Sequence, residues 1–224
     1  MGRRARDRRR HSNRSRVRVL LLHAWPANET MWEPQVTALG GAGFETVAPR
    51  LYGRGPSIEA WATQLLGEID GPFVAVGASL GGYTALALAR RAPERVVGLV
   101  LVGSPIGADS PDRRAYRDEL IAGLRTTGIP ADIETDVDAE ELAVAQEAMR
   151  DRSDNTGVVA SFGGPLLVCV GDGDELLPVE EARAIASQAL RGSLRVIPGG
   201  GHLVSLDRPS EFTQVVLEFL AQWT

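Results

Sequence analysis

Phe73-Val74-Ala75-Val76-Gly77-Ala78-Ser79-Leu80-Gly81-Gly82-Tyr83-Thr84-Ala85-Leu86-Ala87-Leu88-Ala89-Arg90 is the stretch that decides the fold. An apolar run of strand length, Phe73 to Val76, passes through Gly77-x-Ser79-x-Gly81 into a segment with helical composition. That is the pattern of a nucleophile elbow. A serine at the tip of a strand-to-helix turn is held in a strained backbone conformation, and only small residues two positions either side let strand and helix pack that closely. The turn exposes the hydroxyl and sets it at a helix N-terminus, whose free N–H groups and partial positive charge suit a developing oxyanion.

Working outward, apolar runs recur at Val17 to Leu22, Thr46 to Ala48, Val96 to Val102, Leu166 to Val170 and Leu194 to Ile197. Helical patterns lie between them, at Glu33 to Ala42, Ile58 to Ile69, Gly82 to Arg91, Val179 to Leu190 and Pro209 to Trp223. This alternation predicts an α/β protein with a mainly parallel sheet, whose ligands bind beyond the C-terminal strand ends. Between Ser104 and Gly164 the alternation stops. Two charged helical stretches, Asp112 to Thr127 and Val137 to Arg152, predict a small helical cap inserted over about 105–163, because structureless loops of that length are uncommon.

The chain has 224 residues, 44% of them hydrophobic, enough for one well-buried core and short for two. Its formal charge of −5 hides an asymmetry. Nine arginines fall in the first 18 residues, which leaves the remainder at −13. Residues 1–16 lack the apolar content to bury themselves and read as a disordered tail. With an acidic body and no nucleic-acid motif, the reading is against a nucleic-acid partner. No apolar run approaches the ~20 residues of a membrane span, and no apolar leader core follows the arginines before Val19, so a cytoplasmic location is expected. Lysine is absent. Cys169, the single cysteine, lies inside an apolar run and reads as a small core residue.

Only three histidines are available as a general base. His11 lies in the tail, His23 follows the first core strand, and His202 follows the last one behind Gly199-Gly200-Gly201. His202 is selected because that loop brings an imidazole over the sheet edge, where it can take a proton from Ser79 and return it to a leaving group. An acid must orient that ring. The segment Gly171-Asp172-Gly173-Asp174-Glu175 supplies three carboxylates after a strand; Asp174 is preferred, since the loop must clear the sheet edge, with Asp172 the near rival, Asp109 a distant one and Glu175 expected to face solvent. No ligand cluster for a metal and no dinucleotide fingerprint is present, so the expectation is a cofactor-free site.

These residues, with Leu21-Leu22-His23-Ala24-Trp25-Pro26, Ala48-Pro49-Arg50-Leu51-Tyr52-Gly53-Arg54-Gly55, Ala92-Pro93-Glu94-Arg95-Val96, Gly171-x-x-Asp174 and Gly201-His202, make the chain from Val17 to Trp223 resemble an α/β-hydrolase-fold enzyme. Its nearest likeness is to small bacterial serine hydrolases with a short cap, and more loosely to the esterase that removes a methyl group from a pimeloyl-carrier ester. The resemblance implies Ser79 as nucleophile, Asp174 as acid, His202 as base, and an oxyanion hole from the backbone N–H groups of Trp25 and Leu80. It makes His23 a structural support of the oxyanion loop. Two positions depart from the family pattern. Ala24 stands where glycine is usual, and Arg50 where aspartate is usual. The two strands that normally open the fold are missing.

The activity so implied is a cofactor-independent carboxylesterase acting on small or medium acyl esters, with Trp25 and Tyr83, and beside them Trp32, Tyr52, Leu80 and cap residues, suiting a wall for an apolar acyl group, the alternative being that the same residues are ordinary core. The same three residues also support carbon–carbon bond hydrolysis, lyase chemistry or perhydrolysis. A reading of another class is a low-turnover binding or receptor protein, or one that meets a carrier protein through Arg113, Arg114 and Arg117 on the cap; at that spacing a solvated helix face is the plainer expectation. Nothing in the sequence sets the oligomeric state.

Overall fold

The computed structural model describes residues 17–224. The arginine-rich tail, with His11, lies outside the described residues. Six parallel strands form one sheet in the order β2-β1-β3-β4-β5-β6: β1 (Arg18–Leu22), β2 (Thr46–Val47), β3 (Phe73–Ala78), β4 (Val96–Val102), β5 (Leu166–Gly171) and β6 (Gly192–Ile197). Among the described residues no strand precedes β1.

Because successive side chains of a strand point to opposite faces, the central strands divide their apolar residues between two cores. Leu20, Phe73, Ala75, Leu99, Leu101, Leu166 and Val168 face one side, where α2 (Ile58–Glu68), α3 (Leu80–Arg91) and α7 (Val179–Gln188) pack. Val19, Leu21, Val74, Val76, Val100 and Cys169 face the other, against α1 (Glu33–Gly41) and α9 (Pro209–Leu220). Cys169 is buried there as expected, and burial pushes its thiol up to about 12. Buried on both faces, these strands read as unbroken apolar runs. The edge strand β6 is two residues longer at its start than its apolar pattern suggests, because exposed Ser193 and Arg195 dilute the signal.

Helix α3 is buried from Leu80 to Ala89, which explains its small, alanine-rich sequence: it lies against β3 and β1 on one side and α2 on the other. Between β4 and β5 the chain builds α4 (Pro111–Thr126), α5 (Ala139–Arg150) and α6 (Thr156–Ser161). Ser110 caps α4 by accepting from Arg113 N–H, and Asp138 caps α5 by accepting from Glu140 N–H. The short α6, and α8 (Val204–Asp207) after the last strand, carry too little periodicity to be read from sequence.

α4 and α5 pack on each other around a buried ion cluster. Asp109 accepts from Arg117 at 2.5 Å and from Arg152 at 2.5 Å, all three side chains at most 4% exposed. Arg117 also donates to Gln146, and the Arg152 guanidinium lies over the Tyr83 ring at 4.1 Å from its centroid. Arg117 therefore belongs to the interior of the cap, which corrects its reading as part of a solvated arginine face. Helical spacing gave no sign of this, because the partner comes from the preceding loop.

Candidate active site

Ser79 closes β3 with φ 48° and ψ −107°, and is the only residue other than glycine with positive φ among the described residues. Strain of this kind persists only where the surroundings enforce it. Here Ser79 N–H donates to Val102 O of β4 at 2.9 Å, while Ser79 O accepts from Gly82 N–H at 2.9 Å as α3 begins. A β-carbon on Gly81 would sit 2.0 Å from Leu22 O, and one on Gly77 would sit 2.3 Å from Gly81 O. The two glycines of the pentapeptide are thus required by close backbone approach. Helix α3 starts at Leu80, two residues earlier than its apolar pattern suggests, so its first N–H groups lie beside the serine.

His202 arrives on the loop after β6. Its Nε2 is 3.1 Å from Ser79 Oγ, and its Nδ1 is 3.0 and 3.1 Å from the two carboxylate oxygens of Asp174. A carboxylate only accepts, so Nδ1 carries the proton and Nε2 presents its lone pair to the serine hydroxyl. Asp174, with its side chain fully buried, also accepts from Leu176 and Leu177 N–H at 2.9 and 3.0 Å. Burial pushes the Asp174 carboxyl up, but the hydrogen bond and charge of His202 and the two N–H donors outweigh it and hold the group below its usual range. The pair fits against the end of β4 because residue 103 is glycine: a β-carbon there would lie 2.7 Å from His202 O and 3.0 Å from Asp174 Oδ2.

The rival acids are occupied elsewhere. Asp172 accepts from Gly199 N–H at 2.7 Å and so braces the glycine loop that carries His202. Asp109 is the centre of the cap ion cluster, and Glu175 is exposed.

The loop after β1 is held from beneath. His23 is fully buried; its Nε2 accepts from Leu51 N–H at 2.9 Å, which leaves Nδ1–H to donate to Ala24 O at 2.9 Å. Burial drives its pKa down to about 4, so the ring is neutral and acts as a clip between two loops. Ala24 N–H donates to Met31 Sδ at 3.2 Å, and Tyr52 Oη–H donates to Ala27 O at 2.7 Å. As the first helical residue, Leu80 has no acceptor one turn back; neither its N–H nor that of Trp25 has a hydrogen-bond partner among the described residues.

Of the residues read as an acyl wall, Trp32 is not at the site: it is fully buried in the opposite core against Phe212, with ring centroids 5.9 Å apart. Tyr52 serves as the loop support just described. Trp25 is part-buried and its indole N–H donates to Leu142 O of the cap; Tyr83 is buried under Arg152. The sequence reading missed Met31, Gly103, the cap residues Thr135, Asp136 and Leu142 that touch the loop after β1, and Glu141, which pairs with Arg50. None of these carries a motif, because each matters only through what the fold sets beside it. Among the described residues, no group of three or more histidine, cysteine or acidic side chains could hold a metal ion.

A parallel sheet with a strained serine between β3 and α3, and a histidine and a carboxylate delivered from the ends of later strands, defines an α/β hydrolase. Residues 19–215 match the model of the alpha/beta hydrolase family, and the chain belongs to that family and is a hydrolase. It is similar to the pimeloyl-[acyl-carrier protein] methyl ester esterase of Aromatoleum aromaticum, at 33% identity over 202 residues, covering 84% of this chain and 80% of that protein. A 2-hydroxymuconate semialdehyde hydrolase of Pseudomonas putida is 26% identical over 193 residues, covering 72% of this chain and 68% of its own. Among solved structures, a thermophilic esterase from Thermogutta terrifontis superposes with a TM-score of 0.84 at 29% identity, over 92% of this chain and 90% of that one. Among the described residues no helix is long and apolar enough to cross a membrane.

Proposed function

We propose that the protein is a cofactor-independent carboxylesterase that turns over small to medium acyl esters through an acyl-enzyme on Ser79. The observation that carries this reading is the relay itself, with Ser79 Oγ 3.1 Å from His202 Nε2 and His202 Nδ1 3.0 Å from a fully buried Asp174. In the first step Ser79 Oγ attacks the acyl carbon as its proton passes to His202 Nε2, and Asp174 stabilises the imidazolium. The oxyanion is received by the unpartnered N–H groups of Leu80 and Trp25, fixed dipoles that need no reorganisation. His202 then protonates the departing alcohol oxygen. Water takes the alcohol's place and attacks the acyl carbon as its proton passes to His202; the bond to Ser79 Oγ then breaks, His202 returns the proton to Oγ, and the acid leaves. Residues 105–163 serve as the cap over this site, with Trp25 and Tyr83 on the acyl side.

Similarity to bacterial esterases in both sequence and structure supports the ester reading. Its test is hydrolysis of p-nitrophenyl acetate and butyrate by the wild type and by Ser79→Ala, with an expected loss of about 10⁴-fold or more. A fluorophosphonate should label the wild type stoichiometrically at Ser79. Undiminished turnover in the variant would reject Ser79 as nucleophile, and folded protein that neither labels nor hydrolyses would favour the receptor reading. The second reading is carbon–carbon bond hydrolysis, which the same three residues also support. A panel of esters and 1,3-diketones separates the two by kcat/KM.

A further inference from the structure

We propose that Arg50 and Glu141 form a latch by which the cap positions the oxyanion loop, making both of them positioning residues for the reaction. The inference rests on the esterase reading above and goes beyond it, since neither residue touches Ser79, His202 or Asp174.

Three segments meet here: the loop after β1 (residues 23–28), the core loop 50–52, and the cap residues 135–142. The core loop grips the first segment twice, through Leu51 N–H to His23 Nε2 and through Tyr52 Oη–H to Ala27 O. The cap grips it three times. Trp25 Nε1–H donates to Leu142 O at 3.3 Å, Thr135 Oγ1–H to Pro26 O at 2.8 Å, and Asn28 Nδ2–H to Asp136 Oδ1 at 2.6 Å. The ring of contacts is closed by Arg50, which donates to Glu141 Oε2 at 2.6 Å while its guanidinium lies 5.4 Å from the centre of the Tyr52 ring. Glu29 reaches Arg50 only at 3.9 Å. The Trp25 amide is therefore held in a loop whose walls are half core and half cap, and Arg50–Glu141 is the direct tie between those halves.

Arg50 supplies the cation with which the cap glutamate pairs. Both side chains are about one-third exposed, 39% and 32%, so the tie is open to screening by salt.

The test compares wild type, Glu141→Gln, Arg50→Lys and Arg50→Met/Glu141→Gln. A donor left in place but less tightly aimed can lose no more than the exposed pair contributes, which is about 2- to 5-fold. Glu141→Gln should lower kcat by that factor with KM unchanged, while Arg50→Lys, which keeps the cation, stays within about 1.5-fold of wild type. Raising ionic strength to about 1 M should slow the wild type more than Glu141→Gln, because only the former has a pair to screen. Amide hydrogen exchange in residues 24–31 should quicken in Glu141→Gln while α3 and the central strands keep wild-type protection. Exchange reads the latch without reference to turnover, so it remains decisive even if the wild type hydrolyses no ester. Wild-type kcat together with unchanged exchange at 24–31 in Glu141→Gln overturns the proposal. So does a loss that appears equally in KM and in melting temperature, since that marks a general packing role.

Discussion

Replacing Asp174 by asparagine isolates what its charge contributes, because the local scaffold tolerates the change. Oδ1 already accepts from Leu176 and Leu177 N–H at 2.9 and 3.0 Å, so these donors hold the asparagine carbonyl in place and direct its NH₂ group to the former Oδ2 position, 3.1 Å from His202 Nδ1. An amide nitrogen there competes with the retained carbonyl, which stays 3.0 Å from Nδ1, and raises the share of the ring tautomer with its proton on Nε2, which cannot accept from Ser79. In the fraction that keeps the productive tautomer, the imidazolium formed during attack has lost a carboxylate 3.0 Å away. At an effective dielectric of about 20 that attraction is about 5 kcal/mol. The ring is 22% exposed, and the new amide dipole recovers part of the loss, which leaves about 3–4 kcal/mol. Asp174→Asn should therefore lower kcat on p-nitrophenyl butyrate by roughly 10²–10³-fold, with KM little changed and melting within a few degrees of wild type. Asp172→Asn, which keeps its acceptor for Gly199 N–H, should stay within about threefold. An Asp174→Asn enzyme within tenfold of wild type, or an Asp172→Asn enzyme as impaired as it, refutes the assignment of the acid.

His23 couples stability to pH, since its folded-state pKa of about 4 lies below the unfolded value of 6.5. The stabilisation is present above pH 6.5 and lost as pH falls toward 4, because in that window the unfolded chain binds a proton that the folded chain refuses. The full effect is about 3 kcal/mol, and urea midpoints should flatten across it in His23→Gln; an unchanged slope in that variant excludes His23 as the source. Gly81→Ala drives a β-carbon against the backbone of Leu22, 2.0 Å from its oxygen and 2.5 Å from its carbonyl carbon. It should cost about 3 kcal/mol or more, lowering the melting temperature by roughly 6–12 °C. Gly157→Ala in α6 is the control, having no atom within 4 Å of its β-carbon; equal melting temperatures for the two variants would dismiss the packing argument.

Strands β3, β4 and β5 were legible because burial on both faces demands unbroken apolar runs, and burial is written in residue type. Ser79 and His202 were legible for a related reason. Their flanking glycines answer to steric demands made within a few residues, so the local sequence records them. The acid was less so: three carboxylates share one loop, and only the path of that loop past β4 turns Asp174 inward while Asp172 braces Gly199 and Glu175 faces water. Arg117 was misread because its partner Asp109 precedes its helix and Gln146 follows it by 29 residues, distances over which helical periodicity says nothing. Trp32 stayed open between acyl wall and core for the same kind of reason, since composition does not tell which side of the sheet a turn after β1 will bury; the fold puts it in the core.

The amino-acid order alone fixed a parallel α/β architecture, a strained serine at a helix start and a histidine loop beyond the last strand, because each follows from the steric and hydrophobic needs of neighbouring residues. Which carboxylate meets the imidazole, which arginines lie inside the cap, and how Glu141 reaches Arg50 across 91 residues were decided only by the folded chain. Ion pairs and relay geometry depend on distances between segments remote in sequence, and those distances exist only once the two cores have set the sheet, the helices and the cap against one another.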